Sequence, residues 1–342
     1  MKTMKWVILT GAQEFNENTA SSSIIQQREE KPVKLIDVKC GIKTVELLAD
    51  AEHIAVGDDE GKIRHWGAKD GKEVGTPMDT GGVVWSTVVS QDGKWVVSMV
   101  PNEVTVWNAE NDEELVFEVP NGLSMVAVDM SPDAMKVATG FRLDDCSTCV
   151  CEWSVSTGEL LLGPFEHSGS RVAVRFSPDG RFIATAASSI RIYDSLRRKS
   201  HLDFQINSPG VSGNRSLTWA SDSMRLFVLS HDANIHCLDV STGTALFTWA
   251  IHDTYDFGLC ISLARNDTFI AASAKSSVSF WDATTHKQIG SVIHHPARIL
   301  SMSISADYVL VIGGGTKITL WNLRDILPPQ YSDDVSARPL NT

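Results

Sequence analysis

The chain has no continuous apolar run approaching the roughly twenty residues that a membrane-spanning helix needs, which excludes a helical transmembrane segment. Its leading apolar stretch, Trp6-Val7-Ile8-Leu9, follows Lys2 and Lys5 but is too short for the core of a secretory signal. Basic charge is scarce: 30 Lys and Arg stand against 42 Asp and Glu, a formal charge of −12. A chain this acidic is not built for general contact with nucleic-acid phosphates. Paired cysteine ligands are missing too. Cys146, Cys149 and Cys151 crowd one hairpin, yet tetrahedral zinc commonly takes two separated pairs, and no second pair follows. Cys149 and Cys151 flank Val150 on an extended segment and face one way, so the default is reduced thiols, with zinc or a redox-sensitive pair as alternatives. Cys40, Cys237 and Cys260 read as small buried residues.

Catalytic signatures are equally sparse. Gly313-Gly314-Gly315 joins two strand-like runs and is followed by Thr316-Lys317, so it lacks the helix start of a phosphate loop and reads as a tight hairpin. His294-His295 are adjacent on an extended segment and point apart. Ser, His and Asp are abundant without a nucleophile elbow. The expectation is a non-enzymatic protein that uses no cofactor and no metal. It is expected to be soluble, cytoplasmic or nuclear, monomeric as a fold, and attached to no membrane.

What is present is a repeat. A hydrophobic pentad with an aromatic at its fourth position, or Leu in one case, recurs as IRHWG, VTVWN, VCEWS, IRIYD, IHCLD, VSFWD and ITLWN. Trp66, Trp107, Trp153, Tyr193, Leu238, Trp281 and Trp321 are equivalent, at spacings of 41, 46, 40, 45, 43 and 40 residues. That period is the span of one four-stranded propeller blade. Before each aromatic comes a turn, of which Ser131-Pro132-Asp133 and Ser177-Pro178-Asp179-Gly180 are the clearest, where Pro presets the backbone, Asp caps it and Gly tolerates positive φ. Between turn and aromatic lie short apolar runs such as Phe182 to Ala186 and Phe269 to Ser273, which read as strands buried on both faces. A second turn, such as Ser241-Thr242-Gly243, then leads to an outer strand.

These residues make the chain resemble the WD-repeat β-propeller family over about Lys31 to Asp325. The resemblance implies an all-β, seven-bladed propeller of four-stranded antiparallel blades. Two departures matter. Only Tyr193-Asp194 and Trp281-Asp282 keep an aromatic-Asp pair, and Leu238-Asp239 keeps the acid alone. The family's buried network of His, Ser or Thr, Asp and Trp is incomplete throughout, because His167, His252 and His295 sit in blades whose turns read Ser188-Ser189, Lys275-Ser276 and Gly314-Gly315. Packing between blades must therefore carry most of the stability.

The phase of the repeats predicts how the ring closes. Too little chain follows Trp321 for another strand, while Pro32 to Val38 sits upstream in an outer-strand position. That segment is expected to pair with Ile318 to Trp321 and close the propeller with an N-terminal strand, removing exposed sheet edges. The resulting organisation is a mobile leader at 1–30, the propeller at 31–325 and a flexible tail at 326–342.

The function implied by the resemblance is an interaction scaffold that binds other proteins or peptides through the loops of its narrow face. Residues near the start of each innermost strand give Lys43, Trp85, Met125, Arg171, Arg215, Tyr255 and Arg298 as candidate contacts, since Trp, Tyr and Arg are common binding anchors. Asp58, Asp59, Glu60, Asp144, Asp145 and Asp232 are expected in turns of the same face and would favour a basic segment. Arg197-Arg198-Lys199 reads as a solvated hairpin tip. Two motifs suggest the alternative of a substrate receptor or adaptor of a ubiquitin ligase. Pro328-Pro329-Gln330-Tyr331 is similar to ligands of WW domains, and Trp321-Asn322-Leu323-Arg324 resembles the end of a box that joins some WD-repeat receptors to cullin-type ligases. Insertions at Phe141 to Thr148 and around Asn207 to Arg215 make the repeats divergent, which favours a fixed set of partners.

Overall fold

The computed structural model describes residues 30–331 except 49, 91, 101–102, 109–113, 119–123, 144–146, 170–171, 198, 205–214 and 252–258. They form seven four-stranded antiparallel sheets. Blade 1 runs Ile42–Leu47, His53–Asp58, Lys62–Gly67 and Glu73–Asp79; blade 2 runs Ser86–Val89, Trp95–Val100, Glu103–Asn108 and Glu114–Glu118. Blade 3 runs Ser124–Met130, Lys136–Arg142, Thr148–Ser154 and Leu160–His167; blade 4 runs Ala173–Phe176, Phe182–Ala186, Ile190–Asp194 and Lys199–Phe204. Blade 5 runs Leu217–Trp219, Arg225–Leu229, Asn234–Asp239 and Thr244–Ala250; blade 6 runs Ile261–Leu263, Phe269–Ala274, Ser277–Asp282 and Gln288–His294. Blade 7 takes Ser301–Ile304, Val309–Gly314 and Lys317–Asn322 from the end of the repeats and Lys34–Asp37 from before blade 1. Each blade's first strand neighbours the first strand of the next, and blade 7 returns to blade 1, so the ring is closed.

Burial explains the strand sequences. The second strand of a blade is covered on both faces by adjacent blades, so Phe269–Ala274 is buried at every position and needs no polar alternation. The outermost strand has a blade on neither edge side, and Thr244–Ala250 is exposed at nearly all of its residues. First turns are held by their own side chains. Ser90, Ser131 and Ser177 each donate a hydroxyl to the aspartate two residues on, at 2.5 Å, and that carboxylate accepts the backbone N–H of Lys94, Met135 or Arg181 at 3.0–3.1 Å.

Closure takes the predicted form. Lys34, Leu35, Ile36 and Asp37 pair with Leu320, Thr319, Ile318 and Lys317. Val33 N–H donates to Leu320 O at 2.8 Å, Val38 N–H donates to Thr316 O at 3.0 Å, and Lys317 Nζ donates to Asp37 at 2.5 Å. Ile36 and Val38 are buried in one cluster with Val45, Ile54, Val311 and Ile318, which ties both ends of the repeat array to a shared core.

Three glycines fit neighbouring blades together. A Cβ on Gly57, Gly140 or Gly313 would lie 2.6, 2.4 or 2.4 Å from a methyl of Val84, Val172 or Val45, each at the start of the following blade. Those spacings leave no room for a side chain, so close blade-to-blade contact depends on glycine there.

The buried networks are partial, as the sequence implies. In blade 7, His295 Nδ1 is hydrogen-bonded to Thr319 Oγ1 at 2.9 Å, and Trp321 Nε1 donates to the same hydroxyl at 3.0 Å. His167 Nε2 lies 2.9 Å from Thr185 Oγ1 and 3.1 Å from the Tyr193 hydroxyl in blade 4. Trp107 and Trp153 donate instead to Ser98 and Thr139 on the adjoining strand. Blade 1 has Arg64 where a Ser or Thr would serve, and Trp66 Nε1 is left buried without a partner. Arg64 instead reaches Asp58 at 2.9 Å, Glu60 at 3.0 Å and Glu73 at 3.0 Å.

The segment after blade 7 departs from the expected flexible tail. Leu323–Asp325 and Pro329–Tyr331 form short 3-10 turns, and Ile326, Leu327 and Tyr331 pack on the core of blades 6 and 7. The Tyr331 hydroxyl donates to Asp282 Oδ2 at 2.5 Å. Residues 1–29 and 332–342, including the rest of the expected leader and tail, lie outside the described residues.

Candidate partner-binding face

The face from which the inner strands start is assembled by backbone contacts between blades. Ile42 N–H donates to Gly315 O at 2.8 Å, Val84 N–H to Asp58 O at 3.0 Å, and Ile299 N–H to Lys275 O at 2.7 Å. The loops leading into blades 1, 2 and 7 are thus fixed against the hairpin of the preceding blade. Gly313 to Gly315 form such a hairpin, between Val309–Gly314 and Lys317–Asn322, as read from the sequence.

The seven candidate contacts separate on this scaffold. Trp85 is 49% exposed, its backbone N–H donates to Met99 O at 3.0 Å, and Lys43 Nζ stands over its ring, 5.5 Å from the centroid. Arg298 is exposed on the same face. Met125 lies on the first strand of blade 3 with its side chain outside the description, and Arg171 and Tyr255 are outside the described residues altogether, as are His252, Asp144, Asp145 and Cys146.

Arg215 is a correction. Only 8% exposed, it points into the ring instead of out to a partner. Its Nη1 donates to Glu46 Oε2 at 2.7 Å, and its Nη2 to Thr44 Oγ1 at 2.8 Å and Thr87 O at 3.3 Å. An arginine at a strand start can turn inward here because Glu46 supplies the charge that makes its burial tolerable. Asp58 is corrected likewise: it is buried against Arg64 and caps Glu60 and Lys62 N–H groups, so it offers no surface charge. Asp59 remains exposed while its Oδ1 accepts Gly41 N–H at 2.8 Å. Asp232 is half-buried, with its carboxylate on Ser230 and Asn234.

Below Arg215 lies a polar cavity of about 160 Å³ in the centre of the ring. Glu46, Val88, Asp129, Arg175, Thr218, Ser262 and Ser303 line it, one from each first strand. Each stands four residues before a first-turn residue: Asp50, Asp92, Asp133, Asp179, Asp222, Asn266 and Asp307. Counting back from the turns to the strand starts passes over this register, which lies only four residues before each turn. Burial pushes the Asp129 carboxyl above the usual carboxylate range, opposed by the nearby Arg175 guanidinium at 3.4 Å. Asp129 Oδ2 also accepts Phe176 N–H at 2.7 Å. Two acids and two arginines thereby offset each other across the channel.

Cys149 and Cys151 are buried together on the third strand of blade 3. Hydrogen bonding between the thiols lowers the pKa of Cys149 and, with burial, raises that of Cys151. Among the described residues, no three His, Cys, Asp or Glu side chains are grouped so as to hold a metal ion.

The motifs tied to ubiquitin ligases are held in other interactions. An extended, accessible Pro-Pro-x-Tyr ligand was expected at Pro328, Pro329 and Tyr331, but the motif is a 3-10 turn whose Tyr331 is half-buried and bonded to Asp282. Packing of Tyr331 on the last core outcompetes the extended form. Asn322 caps the turn that follows Trp321, and Arg324 lies over the Tyr308 ring, 5.3 Å from its centroid.

A closed ring of seven four-stranded antiparallel blades is a β-propeller. The family described as "WD domain, G-beta repeat" matches residues 159–194, spanning the outer strand of blade 3 and most of blade 4. The described residues thus form a seven-bladed β-propeller, and its segment 159–194 matches the WD repeat. It is similar to Actin-interacting protein 1 of Drosophila melanogaster, 23% identical over 92% of this chain and 54% of that protein. It is also similar to THO complex subunit 6 of Homo sapiens, 27% identical over 30% of this chain and 33% of the relative. Periodic tryptophan protein 2 homolog of Dictyostelium discoideum is 22% identical over 79% of this chain and 29% of its own length. The chain therefore spans about half or less of these curated relatives. The described residues contain no helix long and apolar enough to cross a membrane.

Proposed function

We propose that the chain is a non-enzymatic interaction scaffold that holds partner proteins on the face from which its inner strands start. The observation that carries this reading is Trp85. A large aromatic ring half-exposed at the rim, with Lys43 above it, combines apolar area with a positioned charge, the pairing that binding anchors use. Arg298 stands on the same face. Met125, Arg171 and Tyr255 share its sequence register and are proposed with it, whereas Arg215 is not. Backbone hydrogen bonds beside Lys43, Trp85 and Arg298 limit the ordering lost there when a partner docks. The names of the relatives support the same class of work, since one is an actin-interacting protein and another a subunit of a complex. We place this activity in the cytoplasm or nucleus.

Affinity purification with mass spectrometry, followed by titration of the partner found, tests the reading. Trp85→Ala and Arg298→Ala should each weaken binding by about 1–3 kcal/mol without lowering the melting temperature. Wild-type affinity in both variants would move the contact off this face.

A further inference from the structure

A groove of about 470 Å³ opens between blades 2 and 3, at the end of the strands opposite Trp85. Its apolar lining includes Trp95 and Leu115 from blade 2 and Met135 and Val155 from blade 3. Met135 is 62% exposed and presents its thioether to the groove's opening. Three carboxylates stand among these side chains: Asp92, Glu114 and Asp133, all exposed.

The aspartates are held in place before any ligand arrives. Asp92 Oδ1 accepts from Ser90 Oγ and Lys94 N–H, and Asp133 Oδ1 accepts from Ser131 Oγ and Met135 N–H. In each turn these bonds use one carboxylate oxygen and orient the other. The Ser90 hydroxyl is the largest influence that holds Asp92 below the usual carboxylate range; for Asp133, burial pulls upward but Ser131 and Met135 outweigh it. Both are therefore anionic at neutral pH. Lys94 is the basic neighbour of Asp92 and Lys136 that of Asp133, although the Lys136 ammonium also bonds to Glu152 and Ser195.

We propose that this groove is a docking site for a basic, aliphatic-rich segment of a partner protein, independent of the face that carries Trp85. Lysine and arginine have apolar stems and charged heads, and the groove presents that combination in complement. Stems lie on Trp95, Leu115 and Met135, and heads reach Asp92, Glu114 and Asp133. An arginine or ammonium head near the Trp95 ring gains a further cation–π attraction. An acidic segment meets three carboxylates, and a purely apolar one adds no counter-charge to them.

The test uses the full chain and a labelled twelve-residue peptide of alternating Leu and Lys, with Leu/Glu and Leu/Ser peptides as controls, followed by fluorescence anisotropy. The Leu/Lys peptide should bind and the Leu/Glu peptide should not. Asp92→Asn/Glu114→Gln/Asp133→Asn should weaken binding at least tenfold, and Met135→Ser at least threefold, with unchanged circular dichroism. Glu52→Gln/Asp79→Asn/Asp307→Asn removes the same number of charges elsewhere and should change affinity less than twofold. Equal weakening by the two triple variants would reduce the effect to general attraction by an acidic protein and overturn the proposal. So would no binding of the Leu/Lys peptide, or equal binding of the Leu/Ser peptide. Self-association abolished by Met135→Ser would make the groove a contact between copies of this chain, and the proposal would likewise fall.

Discussion

Arg215 and Glu46 form an ion pair at 2.7 Å across the centre of the ring, although they are 169 positions apart and belong to blades 5 and 1. The pair spans the channel instead of joining neighbouring blades. Its loss would leave a carboxylate facing a largely enclosed polar cavity. Arg215→Ala should therefore destabilise the fold by about 3 kcal/mol, the scale for removing one partner of a buried pair. Urea unfolding measures this, and a loss below about 1 kcal/mol would mean that channel water already screens Glu46. Arg215→Met combined with Glu46→Met should recover much of the stability lost by the single change.

The pH dependence follows from His167. Burial lowers its pKa to about 4 from an ordinary value of 6.5, with Arg191 acting in the same direction. Burial also lowers His295 and His236. A histidine kept neutral by folding binds a proton more readily in the unfolded chain, so its contribution is present above pH 6.5 and is lost as the pH falls towards 4. For His167 the loss amounts to at most about 3 kcal/mol. Melting temperature measured across that window should fall in the wild type and fall less steeply in His167→Gln. Parallel curves would assign the acid sensitivity to other groups.

Ring closure predicts a sharp difference between two truncations. Deleting residues 1–30 leaves Lys34–Asp37 in place and should keep the protein soluble, whereas deletion to Val38 removes that strand's pairing with Lys317–Leu320 and uncovers a sheet edge. The longer deletion should aggregate and melt earlier. Equal behaviour on size exclusion and thermal denaturation would show that the fourth strand of blade 7 is dispensable.

Tyr331 should behave as part of the propeller. Tyr331→Phe removes the hydroxyl that donates to Asp282 and should cost about 1–2 kcal/mol, as expected for a half-exposed hydrogen bond to a charged group. A peptide covering Ile326 to Val335 should still bind WW domains, because freed from blade 6 it can extend. The intact chain should bind them far more weakly, and equal affinity of chain and peptide in titration would show that the packed turn opens at negligible cost.

The fold was readable because it repeats. Each aromatic and each first turn is weak alone, but seven in register define strand number, blade phase and even the strand borrowed from upstream. Side-chain direction at the rim was not readable in the same way. Trp85 and Arg215 occupy one sequence register, yet one faces solvent and the other turns inward to Glu46, a residue distant in the chain. A count along the repeat cannot supply that partner. Residues 326–331 differ from expectation for a similar reason: Pro328-Pro329 favours an extended chain locally, while packing of Leu327 and Tyr331 against blades 6 and 7 decides their conformation. The groove between blades 2 and 3 was invisible because its lining comes from two repeats whose relative placement only the closed ring defines.

The upstream strand also sets a schedule for folding. Asp37 is synthesised 280 residues before Lys317, its partner in blade 7. At roughly 5–20 residues per second, that interval lasts on the order of tens of seconds on the ribosome. Throughout it, Ile42 and Val45 of blade 1 lack the Gly313 surface that will cover them, and Lys34–Asp37 has no sheet to join. Intermediate blades can assemble on one another as they emerge, but the circle itself cannot exist until its last repeat is made. The same strand that protects the finished molecule therefore makes the nascent one dependent on delay, so slowing premature association during synthesis should raise its yield more than strengthening any single blade.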